Sequence, residues 1–204
     1  EPEPEPEPEA EAEAEQLDWL ATFIDEWTTV AEYSLAVLHI AILELNEDLL
    51  EAETVEQLIP CCPTAETMAR IELHEGSPEL LSATDQFFKE LGSTPRLQTR
   101  LRTWHYKLTF DSQVESARSS DLSAAEGVSA ARKTMTALRT GLAETQRELK
   151  DFNQELGDGE TTKTVVLTVD GEDEEMDDEY GTIMEEFAAR ALAKLDALAA
   201  DLPP

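Results

Sequence analysis

Basic side chains are scarce in this 204-residue chain: 15 lysines and arginines stand against 46 aspartates and glutamates, for a net charge of −31. None of the 15 precedes Arg70, whereas the first 69 residues hold nineteen acids. A surface of that sign excludes nucleic acid and anionic membrane as partners, since both are polyanions. It steers in basic partners instead, over a reach that salt limits to about 8 Å. Cysteine is limited to the adjacent pair Cys61 and Cys62, which excludes a secreted disulfide framework. No apolar run approaches the roughly 20 residues of a membrane-spanning helix, Leu35 to Leu45 falling far short, and the acidic start is unlike a signal peptide. These absences point to a cytoplasmic protein. The three histidines, His39, His74 and His105, share no Cys-x₂-Cys or His-x₃-His spacing with the cysteines, so no metal is expected. There is no phosphate loop, no nucleophile elbow and no histidine beside an activating acid, so neither catalytic residues nor a cofactor are expected.

What is present is helical periodicity. At 41% hydrophobic residues, the chain can bury a core. Residues 1–16 are a low-complexity acidic tail, four Glu-Pro repeats and then alternating Glu-Ala, which reads as a solvated, extended polyproline-II segment. From Leu17 to Leu45 the apolar positions recur at helical spacing, giving one long helix or two joined near Thr28-Thr29. Trp19 and Trp27 read as helix-face core, and His39 as a satisfied core residue. Two prolines in Ile59-Pro60-Cys61-Cys62-Pro63 separate helices, and Thr64 caps a helix through Met68 and Ile71 that Gly76 ends. Ser77-Pro78-Glu79 starts a helix with Leu80, Thr84, Phe87, Phe88 and Leu91 on one face, stopped by Gly92. Thr94-Pro95 starts another with Leu97, Leu101, Trp104 and Leu108 inward, weakening at Ser119-Ser120-Asp121.

Farther on, Met135, Leu142, Leu149 and Leu156 alternate with Leu138, Thr145 and Phe152 at the spacing of a coiled-coil seam. A second stripe, Met184, Phe187, Ala188, Ala191, Leu195 and Leu198, makes the partner of an antiparallel hairpin over 130–202. The acidic loop at 157–179 contains the strand-like run Thr161 to Val169, read as a lone extended segment or short hairpin. The following Asp-Gly-Glu-Asp-Glu-Glu stretch fails the EF-hand pattern, having Glu175 where glycine is required.

One island opposes the chain's global sign. Lys89, Arg96, Arg100, Arg102 and Lys107 stand against the single acid Glu90, and Arg96, Arg100 and Lys107 share a helix face opposite Leu97, Leu101 and Trp104. Two readings stay open: a solvent-facing patch that docks an acidic partner, and a face that is solvated or paired with the chain's surplus acids.

The segments ILELNEDLL (42–50), VEQLIPCCPT (55–64), LLSATDQFFKEL (80–91) and TPRLQTRLRTWHYKLTF (94–110) resemble, in order and spacing, the formin-homology-2 domain of formins. The stretches from Met135 to Phe152 and from Asp177 to Leu198 resemble that family's later helices. The family's GNxxN helix, its lysine-bearing GFxLxxLxxL segment (the post) and the lasso that joins dimers are not found, so homodimerisation stays open. The resemblance implies actin as partner, with Ile24 as the nearest counterpart of the knob isoleucine and Arg96, Arg100 and Lys107 as actin-facing cations. It also sets the acidic tail where formins carry a proline-rich segment, without the consecutive prolines a profilin groove takes.

The expectation is therefore an all-α protein: a knob-like bundle of short capped helices over 17–122, followed by a long antiparallel coiled-coil-like helical hairpin over 123–204. Its expected role is a formin-like actin-binding module in the nucleation or organisation of actin filaments, shortened and non-processive. The competing expectation is an acidic helical protein–protein interaction module without actin activity.

Overall fold

The seven-residue seam between Met135 and Phe152 forms the centre of the fold. In the computed structural model, which describes residues 8–30, 33–74, 80–92, 94–120, 125–156, 163–169 and 172–202, eight α-helices and one two-stranded sheet follow in the order α1 (Pro8–Asp25), α2 (Leu35–Leu43), α3 (Ala52–Leu58), α4 (Ala65–Glu72), α5 (Ala83–Leu91), α6 (Leu97–Arg118), α7 (Ala125–Leu156), β1 (Lys163–Val169), β2 (Glu172–Asp178) and α8 (Tyr180–Asp201). Leu138, Leu142, Thr145, Leu149 and Phe152 of α7 are buried, as are all six residues expected on the α8 stripe. The two helices are antiparallel: the Phe152 and Tyr180 rings meet at 5.0 Å, while Ala131 packs with Leu198 at the other end.

A third helix completes this bundle. The Tyr106 hydroxyl of α6 donates to the Leu138 carbonyl at 2.6 Å, and Phe110 meets Phe187 at 5.5 Å, so α6 runs antiparallel to α7 and parallel to α8. The expected division at residue 122 therefore does not separate two cores. One apolar cluster runs from Leu20 through Phe87, Phe88, Leu97, Leu101 and Trp104 to Leu195, with Leu108 packed against it. The reason lies in α6. Its buried residues Leu97, Leu101, Trp104, Phe110, Val114 and Ala117 extend along its whole length, and short helices alone cannot cover so long an apolar stripe.

Local signals explain most helix ends. Thr64 caps α4 by accepting from the Thr67 N–H at 3.2 Å. Helix α1 ends in a π-helical segment, Glu26–Val30, and α2 restarts with Ser34 accepting from the Val37 N–H, so the Leu17–Leu45 periodicity is divided between two helices around Thr28-Thr29. Leu45 takes a left-handed φ of 50° as the Asn46 N–H bonds back to the Ala41 carbonyl at 2.8 Å. Burial of Leu45, 3% exposed, offsets a left-handed cost of about 1–2 kcal/mol for a residue with a Cβ.

Three sequence readings are corrected. Helix α1 already begins at Pro8, because alternating Glu and Ala are strong helix formers and proline suits a first turn; residues 1–7 lie outside the described residues. Helix α5 starts at the Ser82 cap, which accepts from the Asp85 N–H at 3.0 Å. Leu80 is thus 76% exposed rather than on the buried face, and Ser77-Pro78-Glu79, like Gly76, lies outside the described residues. Thr94 does not cap α6: it is buried, and Arg96, at φ 55°, precedes the helix. Of the two readings left for the strand-like run, the short hairpin is the one observed. β1 pairs antiparallel with β2, from Lys163↔Asp178 to Val169↔Glu172, so the acid-rich segment is a strand despite its poor β propensity.

Gly92 and Gly141 are set by close approach rather than by φ. A Cβ on Gly92 would run into the Met68 thioether, and one on Gly141 would lie 2.6 Å from the Tyr106 ring.

Candidate functional site

The basic island lies across α5, the 94–96 turn and α6, and most of its charge is committed inside the molecule. Arg100 is 1% exposed and Asp178, at the end of β2, is 0% exposed. Their bidentate bonds measure 2.8 Å for Nη1 to Oδ1 and 2.5 Å for Nη2 to Oδ2. The guanidinium carbon lies 4.4 Å from the Tyr180 ring centroid and 5.8 Å from that of Phe152, and Nε has no hydrogen-bond partner. Asp178 also accepts from the Tyr180 N–H at 3.1 Å, while the Tyr180 hydroxyl shares a 2.8 Å bond with Thr103. Burial raises the Tyr180 hydroxyl pKa, against the opposing effects of the Thr103 bond and Arg100.

Arg96 reaches α7, donating from Nη2 to Glu148 at 2.5 Å and from Nη1 to Glu155 at 2.7 Å. Burial alone would lower its pKa, but the bonds to these carboxylates raise it. Burial likewise acts to raise Glu148, and the bonds from Arg147 and Arg96 bring it below the ordinary carboxylate value. Lys107 pairs with Glu47. The expectation that Arg96, Arg100 and Lys107 face solvent is thus corrected, most completely at Arg100. The chain's excess acid supplies partners from residues 47, 148, 155 and 178, distant enough in sequence that no local spacing could name them. Lys89 and Arg102 remain exposed.

Ile24 is 3% exposed on α1, a core residue, yet it lines a cleft of about 710 Å³ with Thr28, Leu35, Ala83, Gln86, Lys89 and Glu90. The cleft sits where α1 gives way to the π-helical segment, opposite α5. Sequence reasoning placed Ile24 and the island apart; the fold brings Ile24 and Lys89 to one opening. Beside it, His39 Nε2 is 2.7 Å from the Thr94 hydroxyl and Nδ1 is 3.4 Å from Glu90 Oε1, as expected of a satisfied core histidine.

Cys61 and Cys62 are free thiols. Burial pushes Cys61 up to about 11; burial, reinforced by Cys61, pushes Cys62 up to about 12. Among the described residues no group of His, Cys, Asp and Glu is arranged to hold a metal, and no helix is long and apolar enough to cross a membrane.

The profile of the Formin Homology 2 Domain matches residues 28–133, which takes in α2 to α6 and the start of α7. The chain belongs to the formin homology 2 family. Among the relatives of this formin homology 2 chain, Formin-like protein 14 of Arabidopsis thaliana is 42% identical over 79 residues, covering 39% of the chain and 6% of the relative. Formin-like protein 3 of Oryza sativa subsp. japonica is 40% identical over 78 residues, 38% of the chain and 6% of the relative. Formin-like protein 17 of Arabidopsis thaliana is 37% identical over 78 residues, 38% of the chain and 16% of the relative. The chain thus spans a small part of the length of the curated relatives it matches. Within this formin homology 2 chain, the acids that hold Arg96 and Arg100 lie beyond the matched residues, whereas both arginines lie inside them.

Proposed function

We propose that the chain is a formin-type actin-binding module that contributes to the organisation of actin filaments. Membership of the formin homology 2 family over residues 28–133 is the observation that carries this reading. Contact is made at the cleft floored by Ile24 and rimmed by Lys89, with Arg102 as a further exposed cation. A cleft of this size accepts an apolar side chain, and its lysine attracts an acidic surface such as actin's. Of the cations that the resemblance implicates, Arg96 and Lys107 contribute only by exchanging pairs with Glu155 and Glu47, which are 58% and 52% exposed. Arg100 serves the fold. Binding is non-processive, since the lysine-bearing segment that follows the knob in the family's pattern has no counterpart between Ser119 and Met135.

Co-sedimentation with filamentous actin at two salt concentrations tests this. The parent pellets at low salt and less at high salt, and Lys89→Glu with Arg102→Glu weakens pelleting roughly severalfold, as for exposed charges at a rim. A parent that stays in the supernatant at low salt refutes actin binding and leaves the family relationship as ancestry alone. Persistent residence on growing filament ends in single-filament imaging refutes the non-processive reading.

A further inference from the structure

Helix α7 has two shoulders of opposite charge. Its buried residues Leu138, Leu142, Thr145, Leu149 and Phe152 define the inner face, and the 3.6-residue period then distributes its charged residues. Glu144, Glu148, Asp151 and Glu155 fall on the shoulder toward α6, where Glu148 and Glu155 hold Arg96. Arg132, Arg139 and Lys150 fall on the outward shoulder toward α8, with Arg147 at its outer edge on the back of the helix, where it meets Glu148, all four exposed. They extend over about 27 Å of helix. On a chain of net charge −31, this is an extended run of cations presented to solvent.

The neighbouring acids dilute the stripe without cancelling it. Arg139 lies 3.8 Å from Asp196 of α8, with the two side chains 51% and 68% exposed. Arg147 lies 3.2 Å from Glu148, and Glu185 is taken by Asn153 at 2.8 Å. Pairs this open are readily exchanged for a partner's carboxylates. The register set by Arg139–Asp196 and Asn153–Glu185 brings Leu192, 48% exposed, alongside Ala143 to Gln146. An apolar residue therefore sits within the stretch spanned by Arg139 and Lys150, as at a contact that combines charge with a small apolar anchor.

We infer that this outward shoulder of α7, with Leu192, is a second docking surface for the acidic face of an actin filament, separate from the cleft at Ile24 and Lys89. The inference rests on the actin reading above. Charge complementarity argues for this occupant: the filament is acidic, and the guanidinium groups of the 89–107 island are largely consumed by internal pairs. Arg139, Arg147 and Lys150 lie beyond residue 133, so this surface is a property of this chain rather than of the matched segment.

The test compares two triple variants of the full chain that change net charge equally. One carries Arg139→Glu, Arg147→Glu and Lys150→Glu; the other carries Arg70→Glu, Arg118→Glu and Arg190→Glu, at exposed positions elsewhere. Circular dichroism first verifies that both keep the parent's helix content. In co-sedimentation with filamentous actin at low salt, the stripe variant is expected to bind roughly tenfold more weakly than the parent, and the control to stay within about threefold. Equal weakening of both variants assigns the effect to net charge and overturns the inference. A stripe variant that pellets like the parent, while Lys89→Glu with Arg102→Glu does not, removes the second surface and leaves the first standing. A parent that does not pellet refutes both. Sedimentation velocity without actin completes the set: a parent dimer abolished by the stripe variant would make a second copy the occupant, against the inference.

Discussion

Replacing Asp178 by alanine strands a guanidinium in the protein interior. Arg100 and Asp178 are 1% and 0% exposed and joined by two hydrogen bonds. Once the carboxylate is gone, the charge is left against the Phe152 and Tyr180 rings. Breaking a buried pair by removing one partner costs about 3–5 kcal/mol. The Tyr180 N–H at the start of α8 also loses its acceptor, worth about 1 kcal/mol as a cap. The expected loss for Asp178→Ala is therefore about 4–6 kcal/mol, or a melting temperature lower by roughly 8–24 °C at this chain length. Urea denaturation followed by circular dichroism measures it. The companion variant Arg100→Met with Asp178→Leu removes both charges, and it should return to within about 1 kcal/mol of the parent, because the pair's desolvation cost disappears with it. The double-mutant cycle then gives a coupling of several kcal/mol. A loss below about 1.5 kcal/mol for Asp178→Ala, or a double variant no more stable than the single, would refute the clasp as described.

Trp104, 0% exposed in the shared core, should cost about 3–5 kcal/mol as Trp104→Ala in the same denaturation assay; Trp104→Phe should cost much less, since Nε1 has no partner to lose. Gly141→Ala improves helix propensity, yet its Cβ would lie 2.6 Å from a Tyr106 ring that is tied to Leu138. The net expectation is a loss of about 1–3 kcal/mol from overpacking, and a stabilised variant would show that the ring gives way. At pH 8 the Cys61 thiol, pushed up to about 11 from 9.0, should alkylate about 100-fold more slowly than in unfolded chain. The same thiols favour the folded state below pH 9, where both states are protonated alike. That stability declines as pH rises from about 9 toward 11, where the unfolded state ionises first, and a urea midpoint unchanged over this interval would contradict their burial.

Legibility in the sequence followed the distance between cooperating residues. The coiled-coil seam from Leu138 to Phe152, the α8 stripe and the Thr64 cap all depend on partners within a few residues or on strict periodicity, and each appears where it was read; the side chain of Leu156 lies outside the described residues. Ser82 was passed over because Ser77-Pro78-Glu79 matches a helix start more fully; what distinguishes Ser82 is the hydrogen bond it makes. β2 was unreadable as a strand because six of its seven residues are acids; its pairing comes from β1, and its last residue is held by Arg100. The burial of Arg100 depends on Asp178, and nothing in the local pattern separates that aspartate from the acids around it. Ile24 and Lys89 meet at one cleft only because α1 and α5 pack together, a tertiary fact with no local signature.

The clasp also sets an order of events during synthesis. Arg100 leaves the ribosome 78 residues ahead of Asp178, an interval of about 4–16 s at ordinary elongation rates. Throughout it α6 carries a cation without its partner beside Leu97, Leu101 and Trp104; α7 emerges within the interval, but α8 follows only after Asp178. The segment that defines the family is therefore the part that waits, exposed to chaperones and proteases, until the last two helices emerge and close over it.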